Sequence, residues 1–164
     1  MKHNCGFACK TKKPEESEFQ LREIEEAKYP LIIQFFVDND LEFSENEPVP
    51  TDLIKGWEIF RSADEYLVGA CILAKRDGEF IIDGIAVDKD FRGIKAGKML
   101  LDQAISEVKK LGGNSLYLVA RAPEFFKKSG FKAVEKENSP NFFECLTCSQ
   151  YNVSCFPEIL KLEV

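Results

Sequence analysis

A chain of 164 residues, 45% of them hydrophobic and 14 of them phenylalanine, has the size and apolar content of one domain with its own core. Its 28 acidic and 22 basic side chains leave a net charge of −6, which argues against a general nucleic-acid binder, whose affinity rests on Lys and Arg neutralising phosphates. No apolar run approaches the roughly 18 residues of a membrane span, and Met1 to Lys10 lacks the hydrophobic core of a signal peptide, so the expectation is a soluble cytoplasmic protein whose six cysteines are thiols or metal ligands rather than disulfides.

Residues 1–17 are polar and carry Cys5 and Cys9, an N-terminal segment ahead of the folded domain. Phe19 to Ala27 reads as a first strand, and Tyr29 to Leu41 as a helix with Leu31, Ile32, Phe35 and Phe36 inward. Glu42 to Pro50, with its prolines and acidic side chains, reads as a loop. Strands are expected near Gly56 to Arg61 and Tyr66 to Lys75, and Asp77-Gly78 is a hairpin turn into the next apolar run. That run, Phe80 to Val87, is short, rich in β-branched residues and bounded by Asp88-Lys89-Asp90, which favours a buried strand. Arg92 to Gly97 then supplies two glycines, an alanine and two cations where a helix begins, at Ala96 or Gly97. Leu100, Leu101, Ala104, Ile105, Val108 and Leu111 fall on one face of that helix, and Gly112-Gly113 stops it. Ser115 to Ala120 is a further strand, Pro123 to Ser129 a short helix capped by Gly130, and Lys132 to Lys136 another strand. Residues 141–164 differ in composition and hold Cys145, Cys148 and Cys155; they form a tail that packs on, or completes, the domain of residues 18–140.

A buried strand, a basic glycine turn and a helix in that order are a way to hold a pyrophosphate, although glycines at such a junction often only permit a tight turn. The unpaired N–H groups of a helix's first turn and the positive end of its dipole bind phosphate oxygens when side chains stay clear. The stretch from Glu79 to Leu111, together with the segment running on to Phe131, resembles the Gcn5-related N-acetyltransferase (GNAT) superfamily. Its turn is Gln or Arg, two residues, Gly, one residue, then Gly or Ala; Arg92 and Gly97 match the ends, and Lys95 stands where the middle glycine belongs. The family's second signature, a strand, a short helix with an aromatic pair and Gly-Phe, matches Ser115 to Phe131. The resemblance implies an α/β (α+β) acyl-CoA N-acyltransferase fold, with a central mixed, mostly antiparallel sheet of six or seven strands and helices on both faces.

It also implies chemistry. The strands before the turn and after its helix splay apart, and the pantetheine arm of acetyl-CoA lies between them against backbone groups of Ile85, Ala86 and Val87. The pyrophosphate sits on Arg92, Gly93, Ile94, Lys95, Ala96 and Gly97. An amine acceptor of lysine-like pKa, about 10.4, is almost wholly protonated at neutral pH, so a base is needed. Asp83, two and four residues before Ile85 and Val87 and hence on their side of the pleat, is the candidate, with Glu79 a weaker one. The family's usual acid, a tyrosine in the short helix, is Phe126 here, which cannot donate a proton and becomes a pantetheine-wall residue; Tyr117 on the preceding strand is the alternative acid. The expected activity is acetyl transfer to the primary amine of a small molecule or peptide by direct attack in a ternary complex, by a monomer or homodimer that engages neither nucleic acid nor membrane. The alternative is a non-catalytic acyl-CoA-binding, metal-sensing or redox-sensing protein on the same fold. Cys145, Cys148 and Cys155, with Cys5 or Cys9, offer thiolates for a zinc ion or an iron–sulfur cluster, against the plainer reading of unliganded thiols.

Overall fold

Runs of β-branched and aromatic residues between turn residues set the strands. They are β1 (Phe19–Glu23), β2 (Leu53–Arg61), β3 (Leu67–Arg76), β4 (Glu79–Val87), β5 (Ser115–Ala120), β6 (Lys132–Ala133) and β7 (Glu158–Glu163). The structure, a computed structural model, describes residues 17–41, 52–139 and 157–164. The strands form one mixed, mostly antiparallel sheet in the order β1-β2-β3-β4-β5-β7-β6, in which β4 and β5 alone run parallel. Asp77 and Gly78 both take positive φ, 49° and 80°, as the tight β3–β4 hairpin requires.

Helices cover both faces. α2 (Ala96–Lys110) lays Ala96, Leu100, Leu101, Ala104 and Val108 on one face, over Trp57, Ile59, Leu73, Ile82, Leu116 and Leu118. α1 (Tyr29–Asp38) buries Tyr29, Ile32 and Phe36 over Ala70 and Ile72 on the opposite face. Fully burying each such large side chain stabilises by about 1.5–3 kcal/mol. α3 (Pro123–Lys127) sits on the α2 side, where Phe126 joins the same core.

Several boundaries differ from the sequence reading. β1 stops at Glu23, and Glu26–Lys28 forms a 3-10 turn instead of strand. Leu31 is 67% exposed and the buried stripe runs through Tyr29, Ile32 and Phe36 at three- and four-residue steps. Leu111, 49% exposed, lies past the end of α2, where its periodicity no longer applies. The strand expected to reach Lys136 shortens to two residues and gives way to a 3-10 turn. The largest difference is β7: residues assigned to the tail insert between β5 and β6 and bury Ile159 and Leu160. The expected loop after Leu41, and Cys5, Cys9, Cys145, Cys148 and Cys155, lie outside the described residues. Among those residues no helix is long and apolar enough to cross a membrane.

Candidate active site

The central pair of strands opens. β4 and β5 are in register only at Phe80↔Leu116 and Ile81↔Tyr117, whereas β4 stays paired with β3 as far as Val87↔Gly69, and β5 with β7 as far as Ala120↔Glu158. A wedge therefore separates the far halves of β4 and β5, with backbone groups on its walls that have no strand partner across it. An extended ligand can bond such walls as an added strand does. A bulge accompanies the opening. Leu73 faces Ile82 and Ile72 faces Gly84, so Asp83 is an extra residue without a partner on β3, and an extra residue bends and twists its strand. Ile85, Ala86 and Val87, expected to meet the pantetheine arm, line β4 beyond the bulge and are half-buried.

β4 delivers the chain to the basic turn. Asp88 accepts a hydrogen bond from the Asp90 N–H at 2.9 Å and caps a 3-10 turn, Lys89–Phe91. Arg92 is extended, Gly93 takes φ +112°, and Lys95 stands at φ +64°, ψ +22° as the residue before α2, with no side chain capping the helix. The left-handed conformation costs an L-residue roughly 1–2 kcal/mol, so the backbone keeps a glycine's geometry although the residue is lysine. Arg92, Gly93, Ile94 and Lys95 are exposed. Lys98 is tied to Asp102 at 2.9 Å, while neither Arg92 nor Lys95 has an ion-pair partner among the described residues.

Gly97 has a second role. A Cβ there would lie 3.2 Å from Phe125 Cζ and 3.7 Å from Val87 Cγ2, so the missing side chain admits the ring of Phe125 from α3 beside the end of β4. Phe126 is half-buried and packs edge-on to Phe125 at 5.0 Å and to Phe131 at 5.9 Å. It presents an apolar wall where the resembled family has a hydroxyl.

Asp83 lies on the other face of the sheet. Its oxygens accept from both terminal nitrogens of Arg76 at 2.9 Å, and Arg76 also pairs through Nε with Asp52. Burial lowers the affinity of Arg76 for its proton, but the hydrogen bonds it donates to the two carboxylates outweigh it and raise the pKa. Arg76 shares its face with Ala74, whose cluster holds Ile81 and Tyr117, while Ile85 and Val87 pack on the α2 side. Counting two and four residues forward from Asp83 crosses the bulge, so the ideal alternation does not hold there. Tyr117 is 7% exposed, with Lys161 Nζ 5.6 Å from its ring centroid. Glu79 opens β4 opposite Arg76 in register. Sequence reasoning missed Arg76 and Asp52 as partners of Asp83, because the three meet only through the β2–β3 register and the bulge together. Among the described residues no group of three or more His, Cys, Asp or Glu is placed to hold a metal. Cys71 is buried on β3, and burial pushes its thiol pKa up, which makes it packing.

The chain matches the acetyltransferase (GNAT) family over residues 18–131. It is 28% identical to an uncharacterized N-acetyltransferase of Chlorobaculum tepidum over 85 residues, 50% of this chain and 55% of that protein, so it spans about half the length of this curated relative. An acetyltransferase of the GNAT family from Staphylococcus aureus MU50 superposes with a TM-score of 0.67 at 17% identity, covering 88% of this chain and 98% of that one. N-acetylglutamate synthase from Neisseria gonorrhoeae, solved with coenzyme A and N-acetyl-glutamate, gives a TM-score of 0.65 at 18% identity, covering 91% of this chain and 36% of that one. At these identities the structural likeness is one of fold.

Proposed function

The chain belongs to the acetyltransferase (GNAT) family, and on that premise we propose that it transfers an acetyl group from acetyl-CoA to a primary amine by direct attack in a ternary complex. The observation that carries this reading is the β4–β5 wedge leading to the uncapped start of α2. The wedge takes the pantetheine arm beside Ile85, Ala86 and Val87. The N–H groups at Ala96 and Gly97 take the pyrophosphate, with Arg92 and Lys95 adding positive charge. Phe126 and Phe125 form the apolar wall near the thioester.

In the reaction the amine nitrogen attacks the thioester carbon, the carbonyl electrons move onto oxygen, and backbone N–H groups near Val87 stabilise the oxyanion. Collapse re-forms the carbonyl, breaks the C–S bond and releases the thiolate of CoA. A thiol of pKa about 8.5 leaves with modest help, which suits a site with phenylalanine in place of the acid. The amine's proton goes through water to Asp83, from an acceptor that enters on the face of the sheet opposite α2, where Asp83 lies. Because both Asp83 oxygens are held by Arg76, one must be released from that fork or shared with the water. Tyr117, facing Lys161, is the weaker candidate for the acid.

Two of these features also favour a second reading, a protein that binds acyl-CoA without turnover: the missing hydroxyl at Phe126 and the engagement of Asp83 by Arg76. Calorimetric titration of the reduced protein with acetyl-CoA, beside Arg92→Glu, tests the cofactor. Binding lost in the variant is expected, and absence of binding to acetyl-CoA and to longer acyl-CoAs overturns both readings. Acetyl-CoA binding with no CoA release across a broad amine panel selects the second.

A further inference from the structure

Tyr66, just before β3, is 43% exposed and leaves little of the core to support, yet it is tied to the phosphate turn at two points. Its hydroxyl donates to Asp88 Oδ2 at 2.7 Å, while the other Asp88 oxygen accepts the Asp90 N–H. Its ring rests on that of Phe91, centroids 5.5 Å apart, and the guanidinium of Arg61 covers both rings at 5.2 Å and 5.4 Å. Arg61 is itself held by Asp64 through bonds of 2.9 Å and 2.8 Å. Phe91 is the residue immediately before Arg92, so this stack fixes the last rigid point before the turn.

We infer that Tyr66 is a positioning residue for acetyl-CoA: it acts through Asp88 and Phe91 to hold the turn that carries Arg92, Gly93 and Lys95 in its phosphate-receiving shape. The inference rests on the proposed binding of acetyl-CoA. The strain at Lys95 gives it physical content. A turn that holds an L-residue in the left-handed region relaxes unless its surroundings over-determine it, and the Asp88 cap and the Phe91 stack supply that constraint from the β4 side. An ordered cradle binds without the cost of ordering itself when the ligand arrives.

Tyr66→Phe keeps the ring and removes only the hydroxyl. Losing one hydrogen bond to a carboxylate near solvent is expected to raise the Kd and KM for acetyl-CoA about fivefold, with kcat at saturating acetyl-CoA and the melting temperature nearly unchanged. Amide hydrogen exchange between Lys89 and Gly97 should quicken in the free variant while the sheet stays protected. Asp88→Asn, a second variant of matched shape, must show the same split. Wild type and Tyr66→Phe binding acetyl-CoA equally tightly overturns the positioning role alone, as does a fall in kcat and melting temperature without a change in KM. Wild type that takes no acetyl-CoA overturns the cofactor reading, and this role with it.

Discussion

Lys95 concentrates the tension between sequence and backbone in this protein. Its φ of +64° is a conformation glycine adopts freely, and the turn has not relaxed to suit the lysine. Lys95→Gly removes that strain but adds freedom to the unfolded chain, so the net gain in stability is about 0.5 kcal/mol. If the ammonium also meets a phosphate, the same variant binds acetyl-CoA about threefold more weakly, with a shallower salt dependence, since a screened charge contact contributes under 1 kcal/mol. Urea midpoints and calorimetry on one preparation separate the two effects. Unchanged or tighter binding by Lys95→Gly would make the lysine an intruder in the cradle rather than part of it.

At the scale of elements, the strand, glycine turn and helix were legible because each is local. Phe80 to Val87 is a β-branched run, Leu100, Leu101, Ala104 and Val108 repeat at helical spacing, and glycines punctuate both. The bulge at Asp83 was not legible, since an unpaired residue exists only relative to the neighbouring strand's register. β7 escaped for a similar reason. EILKLE is too short and too charged to stand out beside the cysteines, and only its place between β5 and β6 gives Leu160 something to cover. The bulge has an energetic consequence at the β3–β4 hairpin. It brings Asp83 to the guanidinium that the β2–β3 pairing already sets beside Asp52, and both side chains of the Arg76–Asp83 pair are largely shielded, at 22% and 15% exposure. Removing the cation leaves two carboxylates facing each other in partial burial, so Arg76→Gln should lose about 2 kcal/mol. Unfolding in urea of Arg76→Gln beside Arg76→Lys checks this; equal losses in the two variants would assign the deficit to packing of the arginine rather than to its charge.

At the scale of the whole molecule, the described strands fall into two groups that meet along a short seam. β1 to β4 form one antiparallel meander; β5, β7 and β6 form the other; and the seam in the sheet is the pair of register positions at Phe80 and Ile81. Above it α2 acts as a strap. Leu100, Leu101 and Val108 share one core with residues of both groups, and Glu107, 5% exposed, reaches Lys55 on β2 at 3.2 Å. On the remote side of the seam, Lys127 of α3 reaches Glu158 of β7 at 2.8 Å, which ties the helix bearing Phe125 and Phe126 to the second group. A ligand in the wedge bonds one group through β4 and the other through β5, and so replaces the missing seam. It should then stabilise the fold beyond its local contacts. At acetyl-CoA one hundred times its Kd, mass action contributes about 2.7 kcal/mol, which for a domain of this size raises the melting temperature by roughly 5–10 °C. Hydrogen exchange should slow most at Gly84 to Val87 and at Leu118 to Ala120, the two unpaired walls. Protection confined to the turn at Arg92 to Gly97, with the walls exchanging as before, would mean that the phosphates bind while the pantetheine arm stays outside the wedge, and direct transfer through it would have to be abandoned.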